Sequence, residues 1–201
     1  MTSDAQARVL QPFPATVPAA KHMLFCLDIA AKAMDRVWEN WKGKEKPHLV
    51  IRGATIGMGE ALKLRIEKLC KTGLEVRVKE FNAIAEELNE DIRRSSIVLM
   101  PSRSEGFGLV GLEAISLRRP ILISYNSGLA QLIEEVAPVE SNNWSLQTGN
   151  NKKVIEEWAK EIEFIFKDRT AAIKRLETLI KAYSNKVSWL KSTKGLIKAL
   201  T

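Results

Sequence analysis

Short apolar runs alternate with longer amphipathic stretches from about residue 46 onward, and this alternation restricts the fold more than any other feature of the sequence. Runs such as SIVLM and PILIS are apolar at nearly every position, which is typical of strands buried on both faces of a sheet. Strands that alternate with amphipathic helices form βαβ units, so we predict an α/β fold with a doubly wound parallel sheet. The predicted strands cover residues 48–54, 74–81, 96–102 and 120–125, and the predicted helices cover residues 59–73, 83–95, 108–119 and 126–136.

The two ends of the chain fit this pattern less clearly. Residues 11–20 contain three prolines and cannot be helical throughout, whereas residues 7–10 are suited to a short first strand. We therefore predict an irregular N-terminal segment over residues 1–20 and a single domain over residues 21–201. A long helix is expected over residues 19–41. Helices are also expected from about Lys152 to the end, with possible breaks at residues 167–170 and 182–185.

The net charge of +7 suits an anionic ligand such as a phosphate or a nucleotide. Nucleic acid is one alternative partner, and an ordinary solvated basic surface is another. The lysines near the C-terminus are not interleaved with aromatic residues as they are in a strand-binding groove, so we expect no nucleic-acid partner. These lysines are Lys181, Lys186, Lys191, Lys194 and Lys198.

Cysteine and histidine usage gives no sign of a metal site. Cys26 and Cys70 lie in apolar surroundings and are expected to be reduced core residues, and the two histidines are isolated from one another. No stretch reaches about 18 consecutive apolar residues, and no signal peptide is recognisable at the N-terminus. We therefore expect no membrane span and a cytoplasmic location.

The stretch PSRSEGFGLVGLEA, residues 101–114, combines glycines with two glutamates between a predicted strand and a predicted helix. Glycines there let a ligand approach the backbone, and the free N–H groups at the helix start favour an anion such as phosphate. Glu105 and Glu113 are suited to accept hydroxyl groups on either side of that phosphate. The simpler alternatives are a buried polar residue for Glu113 and an ordinary turn residue for Glu105. Sugar, diphosphate and ribose in sequence describe a nucleotide sugar.

Gly106, Gly108 and Gly111 also spell the G-x-G-x-x-G fingerprint of dinucleotide-binding folds. That fingerprint normally occupies the first βα turn, whereas at least two predicted strands precede it here. The acidic residue expected at the end of the next strand is missing, and a carboxylate directly before the first glycine would repel a pyrophosphate. Nicotinamide or flavin binding is therefore the less favoured alternative.

Residues 101–124 closely resemble the signature P-S-x-x-E-G-F-G-L-x-x-L-E-A of retaining GT-B glycosyltransferases of the group 1 class, also called family 4. A weaker resemblance begins at about residue 47 and continues to SWLKSTKGLIKAL, which is similar to the closing helix of that family. The resemblance implies the Rossmann-like C-terminal half of such an enzyme, which binds a donor such as a UDP- or GDP-hexose.

The resemblance also implies roles for individual residues. In the family the first glutamate holds the donor sugar near its reacting carbon, the backbone of the glycine-rich stretch binds sugar and phosphate, and the second glutamate binds the ribose. These roles fall on Glu105, on Gly106, Phe107, Gly108 and Leu109, and on Glu113. Lys21 matches a lysine that holds the diphosphate. The family needs no metal and no cofactor.

Two departures from the family pattern affect the functional prediction. The resemblance covers only the donor-binding half, so an N-terminal acceptor domain would be a missing partner, and we expect the isolated chain not to be catalytically complete. The family's arginine should precede Lys21 by five or six residues, but the sequence there is TVPAA, so only Arg8 or Arg103 could replace it in space. A non-catalytic recognition or regulatory module within a larger protein is the alternative function.

Overall fold

The structure is a computed structural model that describes residues 6–10, 17–43, 46–103 and 105–186, with side chains from Cys26 onward except that of Asn185. The strands are β1 (Gln6–Leu10), β2 (His48–Ala54), β3 (Val76–Glu80), β4 (Ile97–Met100), β5 (Ile121–Ser124) and β6 (Ser145–Leu146). The helices are α1 (Val17–Asn40), α2 (Gly59–Glu67), α3 (Ala85–Arg94), α4 (Leu109–Ser116), α5 (Gly128–Val136), α6 (Lys152–Lys167) and α7 (Arg169–Lys186). A short 3-10 turn covers Ser141–Asn143.

The six strands form one parallel sheet in the order β3-β2-β1-β4-β5-β6, which confirms the predicted doubly wound fold. One hydrophobic cluster lies between the sheet and α1, α2 and α6, and a second lies between the sheet and α3, α4, α5 and α7. Neighbouring residues of β4 enter different clusters, since Leu99 packs in the first and Val98 in the second. The continuous apolar strands of the sequence thus follow from burial on both faces.

The N-terminal elements lie close to where the sequence places them. β1 covers the residues suggested as a possible first strand, and α1 begins two residues before the predicted start. Pro18 is tolerated in the first turn of α1 because the N–H that proline lacks has no acceptor there within the helix. The domain boundaries remain a prediction. The family's closing helix, expected within residues 187–201, lies outside the described residues.

The predicted C-terminal end of α2 was wrong. α2 ends at Glu67, not at Gly73, because the Asp35 carboxylate on α1 accepts the backbone N–H groups of Lys71 at 2.9 Å and Thr72 at 3.1 Å. These bonds hold the chain outside a helical path, and Gly73 makes the following turn with a φ of 78°.

The break predicted at residues 182–185 is absent, since α7 continues to Lys186, whose ammonium group donates to the carbonyl of Glu135 at 2.6 Å. The break predicted at residues 167–170 is confirmed, because Asp168 separates the two helices and accepts the N–H of Ala171 at 2.8 Å. None of the described helices has the length and apolar composition needed to cross a membrane.

A buried ion cluster ties β2, β3 and α3 together. Asp91 of α3 lies 2.8 Å from the guanidinium of Arg52 on β2 and 2.6 Å from the ammonium of Lys79 on β3. The side chains of Arg52 and Asp91 are 6% and 4% exposed, so each charge depends on the other for compensation.

We expect Asp91→Ala to lower the free energy of unfolding by about 3–5 kcal/mol, because it leaves the buried Arg52 charge without its main partner. Glu90→Ala is the matched control on the same helix. It removes a 2.7 Å ion pair with Arg94 that is exposed, so it should cost about 0–1 kcal/mol. Urea denaturation measures both, and equal losses would contradict a structural role for the buried cluster.

Candidate donor-binding site

The connection between β4 and α4 lies where the winding direction of the sheet reverses. β1 and β4 are neighbours in the sheet, but α1 packs on one face and α4 on the other. A crevice forms at the carboxyl ends of two such strands, and open α/β sheets bind their ligands there. The predicted site residues from Glu105 to Glu113 follow β4 directly and therefore border this crevice.

Three backbone hydrogen bonds hold the segment Glu105–Phe107 against the turn Asn126–Leu129 that follows β5. The N–H of Glu105 donates to the carbonyl of Asn126 at 3.2 Å. The N–H groups of Gly128 and Leu129 donate to the carbonyls of Gly106 and Phe107 at 2.8 and 2.7 Å. We call this arrangement the backbone clamp. It occupies the carbonyls of Gly106 and Phe107 and, because each peptide group is planar, fixes the direction of the N–H groups of Phe107 and Gly108.

The N–H groups from Gly106 to Val110 form the amide cradle. Gly108 precedes α4 with a φ of 93° and has no side chain to cap the helix, and the first amide to bond back to it is that of Gly111 at 3.0 Å. The N–H groups of Gly106, Phe107, Leu109 and Val110 donate to no acceptor within the described part of the chain. Gly106, Phe107 and Leu109 are exposed, so the cradle is open to an acceptor from outside.

Along the chain, Glu105 directly precedes the cradle and Glu113 follows it. Glu105 is half-buried, and its Oε2 accepts the hydroxyl of Ser102 at 3.2 Å. Glu113 lies one turn into α4, four residues after the exposed Leu109 and three before the exposed Ser116. Its Oε2 is buried and has no hydrogen-bond partner among the described residues. Burial raises the pKa of Glu113, which indicates a carboxylate that lacks the donors it needs.

α1 approaches the same crevice through Cys26. Burial is the main cause that raises the pKa of this thiol, and a backbone hydrogen bond to Arg103 and the Arg103 charge oppose it. The charge of Glu105 also acts on Cys26, so α1 lies against the loop that carries both residues. Lys21 is five residues earlier on the same helix, although its side chain lies outside the described residues.

Sequence reasoning missed the residues that hold the cradle in place. Asn126, Gly128 and Leu129 follow β5 and supply the clamp, and Ser127 between them caps α5 by accepting the N–H of Ala130 at 3.1 Å. The only sequence signal was the NSG turn directly after a buried strand. A Cβ on Gly128 would lie 3.0 Å from the carbonyl oxygen of Gly106, so a side chain there would disturb the clamp.

Gly111, the third glycine of G-x-G-x-x-G, lets α4 pack closely against α5 and β4. A Cβ on Gly111 would lie 2.6 Å from a Leu129 methyl carbon and 3.2 Å from the sulfur of Met100. The glycine-rich loop follows β4, whereas the first βα turn of the sheet follows β1. This position agrees with the argument against a dinucleotide fingerprint. The described residues contain no group of histidine, cysteine and carboxylate side chains suited to hold a metal.

We expect Gly128→Ala to lower the free energy of unfolding by about 1–2 kcal/mol, because its Cβ would push against the backbone of Gly106 and Phe107. Gly106→Ala is the matched control, since a Cβ there meets nothing within 4 Å and should leave stability nearly unchanged. Urea denaturation compares the two variants, and a loss of the same size in both would contradict a tight clamp.

The match to a protein-family profile identifies the family of this chain. The profile of the family 4 glycosyltransferases in conflict systems matches residues 24–196. An uncharacterized glycosyltransferase of Methanocaldococcus jannaschii is 30% identical over 113 residues, which are 56% of this chain and 30% of that protein. The chain therefore matches less than a third of the length of this curated relative.

Solved glycosyltransferase structures share the fold at low sequence identity. The catalytic domain of a cholesterol-alpha-glucosyltransferase from Helicobacter pylori has a TM-score of 0.62 at 16% identity, covering 92% of this chain and 100% of its own. The C-terminal domain of a group 1 glycosyltransferase from Francisella tularensis has a TM-score of 0.66 at 15% identity, covering 91% and 87%. HepE from Anabaena, solved with UDP and glucose, has a TM-score of 0.64 at 13% identity, covering 98% and 48%. The chain thus belongs to the family 4 glycosyltransferases of conflict systems, and it has the Rossmann-like fold of the C-terminal half of a GT-B glycosyltransferase.

Proposed function

We propose that this chain binds the nucleotide-sugar donor, such as a UDP- or GDP-hexose, of a glycosyltransferase that transfers a hexosyl group with retention. The observation that supports this most directly is the open amide cradle between two carboxylates. The cradle is suited to phosphate oxygens, and each carboxylate is suited to the hydroxyls of a sugar ring. A nucleotide sugar carries these groups in the matching order.

Each group of the site has a distinct task in this proposal. Glu105 holds hydroxyls of the hexose near its reacting carbon, and the N–H groups of the cradle bind the sugar and the diphosphate. Glu113 binds the ribose hydroxyls through the oxygen that has no partner among the described residues. Lys21 adds positive charge from α1. The start of α4 and the protein cations then neutralise the leaving diphosphate without a metal.

The oxygen of Glu113 that has no described partner favours a ligand-binding role for this residue over a purely structural role. A buried carboxylate oxygen without a donor costs free energy, and native structures seldom keep such a group without a use. Two ribose hydroxyls would supply the missing donors and favour the ionised form. HepE, the Anabaena protein with this fold, was solved with UDP and glucose, which is the kind of ligand we propose here.

We infer that the chain does not transfer sugar alone. The crevice has one wall from this domain, and the acceptor in a GT-B enzyme is bound mainly by the other half. The chain matches 30% of its curated relative, in keeping with a donor-binding half that works beside further domains.

We expect weak binding of UDP-glucose or GDP-mannose by the isolated chain, with a Kd of about 1 mM, near −4 kcal/mol. The double variant Glu105→Ala, Glu113→Ala should lose most of this binding, since it removes both hydroxyl acceptors. Glu134→Ala, an exposed glutamate of α5, is the control. Chemical-shift titration measures all three proteins, and full retention of binding in the double variant would rule out the assigned site.

The raised pKa of Glu113 gives a pH dependence with a defined sign. The folded protein keeps the Glu113 proton at pH values where the unfolded chain has released it. This contribution to stability is therefore full below the ordinary glutamate pKa and is lost as the pH rises through the raised value. Glu113→Gln should abolish that loss in urea denaturation between about pH 4 and pH 7, whereas Glu134→Gln should keep it. An unchanged pH profile in Glu113→Gln would contradict the buried carboxyl.

A further inference from the structure

The turn between α4 and β5 carries two adjacent arginines, at the edge of the sheet opposite the amide cradle. The N–H of Arg118 donates to the carbonyl of Ile115 at 3.0 Å. The N–H of Arg119 donates to the carbonyl of Ala114 at 2.8 Å, which completes a Schellman turn at the end of α4. Arg118 has a φ of 56°, a left-handed conformation that glycine adopts more easily than arginine. Local strain of this kind often accompanies a functional site.

A surface groove of about 590 Å³ lies beside this turn, along the first half of α7. The residues that line it are Arg169, Thr170, Ile173, Lys174 and Glu177. The guanidinium of Arg118 lies 3.4 Å from the carboxylate of Glu177, so the turn between α4 and β5 borders the groove. Cations from two separate segments of the chain therefore meet at one concave surface.

Three of these cations have no carboxylate partner among the described residues. They are Arg119, Arg169 and Lys174. The Nε atom of Arg119 is buried and has no hydrogen-bond acceptor in the described part of the chain. Burial and the charge of Arg119 both lower the pKa of Arg169, so the two guanidinium groups repel each other. Positive charges that are partly removed from water need an anion to compensate them.

The carboxylates closest to the groove already have partners. Arg118 contacts Glu177, and Asp168 accepts the N–H of Ala171 at 2.8 Å. Asp168 thus caps the start of α7, so an anion in the groove would depend on the side-chain cations. Guanidinium groups are suited to phosphate oxygens, because their N–H groups match the spacing of two such oxygens. The exposed hydroxyl of Thr170 can supply another donor.

We propose that this groove is a second anion-binding site, which holds a small molecule by its phosphate group. Arg119 and Arg169 bind the phosphate oxygens, and Lys174 and Thr170 supply further donors. The groove lies near the amino end of β5, whereas the donor site lies at the carboxyl end of β4. This inference therefore does not depend on the proposed function.

Inorganic phosphate is the probe, and the shifts of the backbone amide signals show where it binds. We expect saturable shifts at residues 118–119 and 169–174. The double variant Arg119→Gln, Arg169→Gln should weaken this binding by about tenfold or more, because it removes the charged donors. Arg77→Gln, an exposed arginine of β3, is the matched control and should bind phosphate as the wild type does. A parallel titration with chloride at equal ionic strength separates binding from screening.

Two results would overturn the proposal. One is a wild-type chain whose signals at the groove move no more with phosphate than with chloride. The other is a double variant with unchanged affinity at these signals. The amide signals of the cradle, residues 106–110, are read in the same spectra. Phosphate bound only at the cradle would thus support the donor site and contradict the second site.

Thermal unfolding distinguishes a binding site from a structural role of the arginines. Without phosphate, Arg169→Gln should be at least as stable as the wild type, because it removes the repulsion from Arg119. Added phosphate should raise the melting temperature of the wild type and of Arg77→Gln more than that of Arg169→Gln, since a ligand stabilises the state that binds it. A loss of stability without phosphate, together with an unchanged gain on adding it, would contradict the proposal.

Discussion

The backbone clamp between Glu105–Phe107 and Asn126–Leu129 is the constraint on which the site depends. Two of its three hydrogen bonds occupy the carbonyls of Gly106 and Phe107, and the neighbouring N–H groups have no acceptor among the described residues. A single backbone hydrogen bond contributes only about 1 kcal/mol to stability. The clamp matters because it fixes the orientation of the peptide groups in this segment. Without the bonds from Gly128 and Leu129, the same N–H groups could turn inward and find acceptors within the protein. The open cradle is therefore held by hydrogen bonds between two backbone segments.

The two carboxylates of the site differ in the hydrogen-bond donors that the described residues give them. Glu105 has a hydrogen-bond donor in the hydroxyl of Ser102. Glu113 has one buried oxygen without a described donor and a pKa raised by burial. A sequence selected only for stability would replace Glu113 with an apolar residue, as at the neighbouring buried Ala114. Local cost of this kind is common where a protein keeps a residue for a ligand.

Elements with local sequence signals can be predicted from the sequence. The prediction fails where a residue far away in the chain determines where an element ends. The runs in β4 and β5 are apolar because both faces are buried, so they could be recognised without a structure. The end of α2 depends on Asp35, which lies 36 and 37 residues away from Lys71 and Thr72. The two-residue strand β6 has no pattern of its own. Glu105 and Glu113 are predicted from their motif, but Asn126 and Gly128 come to lie beside that loop only because β4 and β5 are neighbours in the sheet.

The position of the crevice also links the site to the stability of the whole domain. α1 belongs to the hydrophobic cluster on one face of the sheet, and α4 belongs to the cluster on the other face. The crevice between β1 and β4 is where helices from both clusters reach the same open space, with Cys26 of α1 beside the loop that leads into α4. A ligand that contacts Lys21 and the cradle together would join the two faces directly. Binding would then stabilise the packing of α1 against the loop as well as the loop itself, because a ligand that binds only the folded state stabilises every element that forms its site.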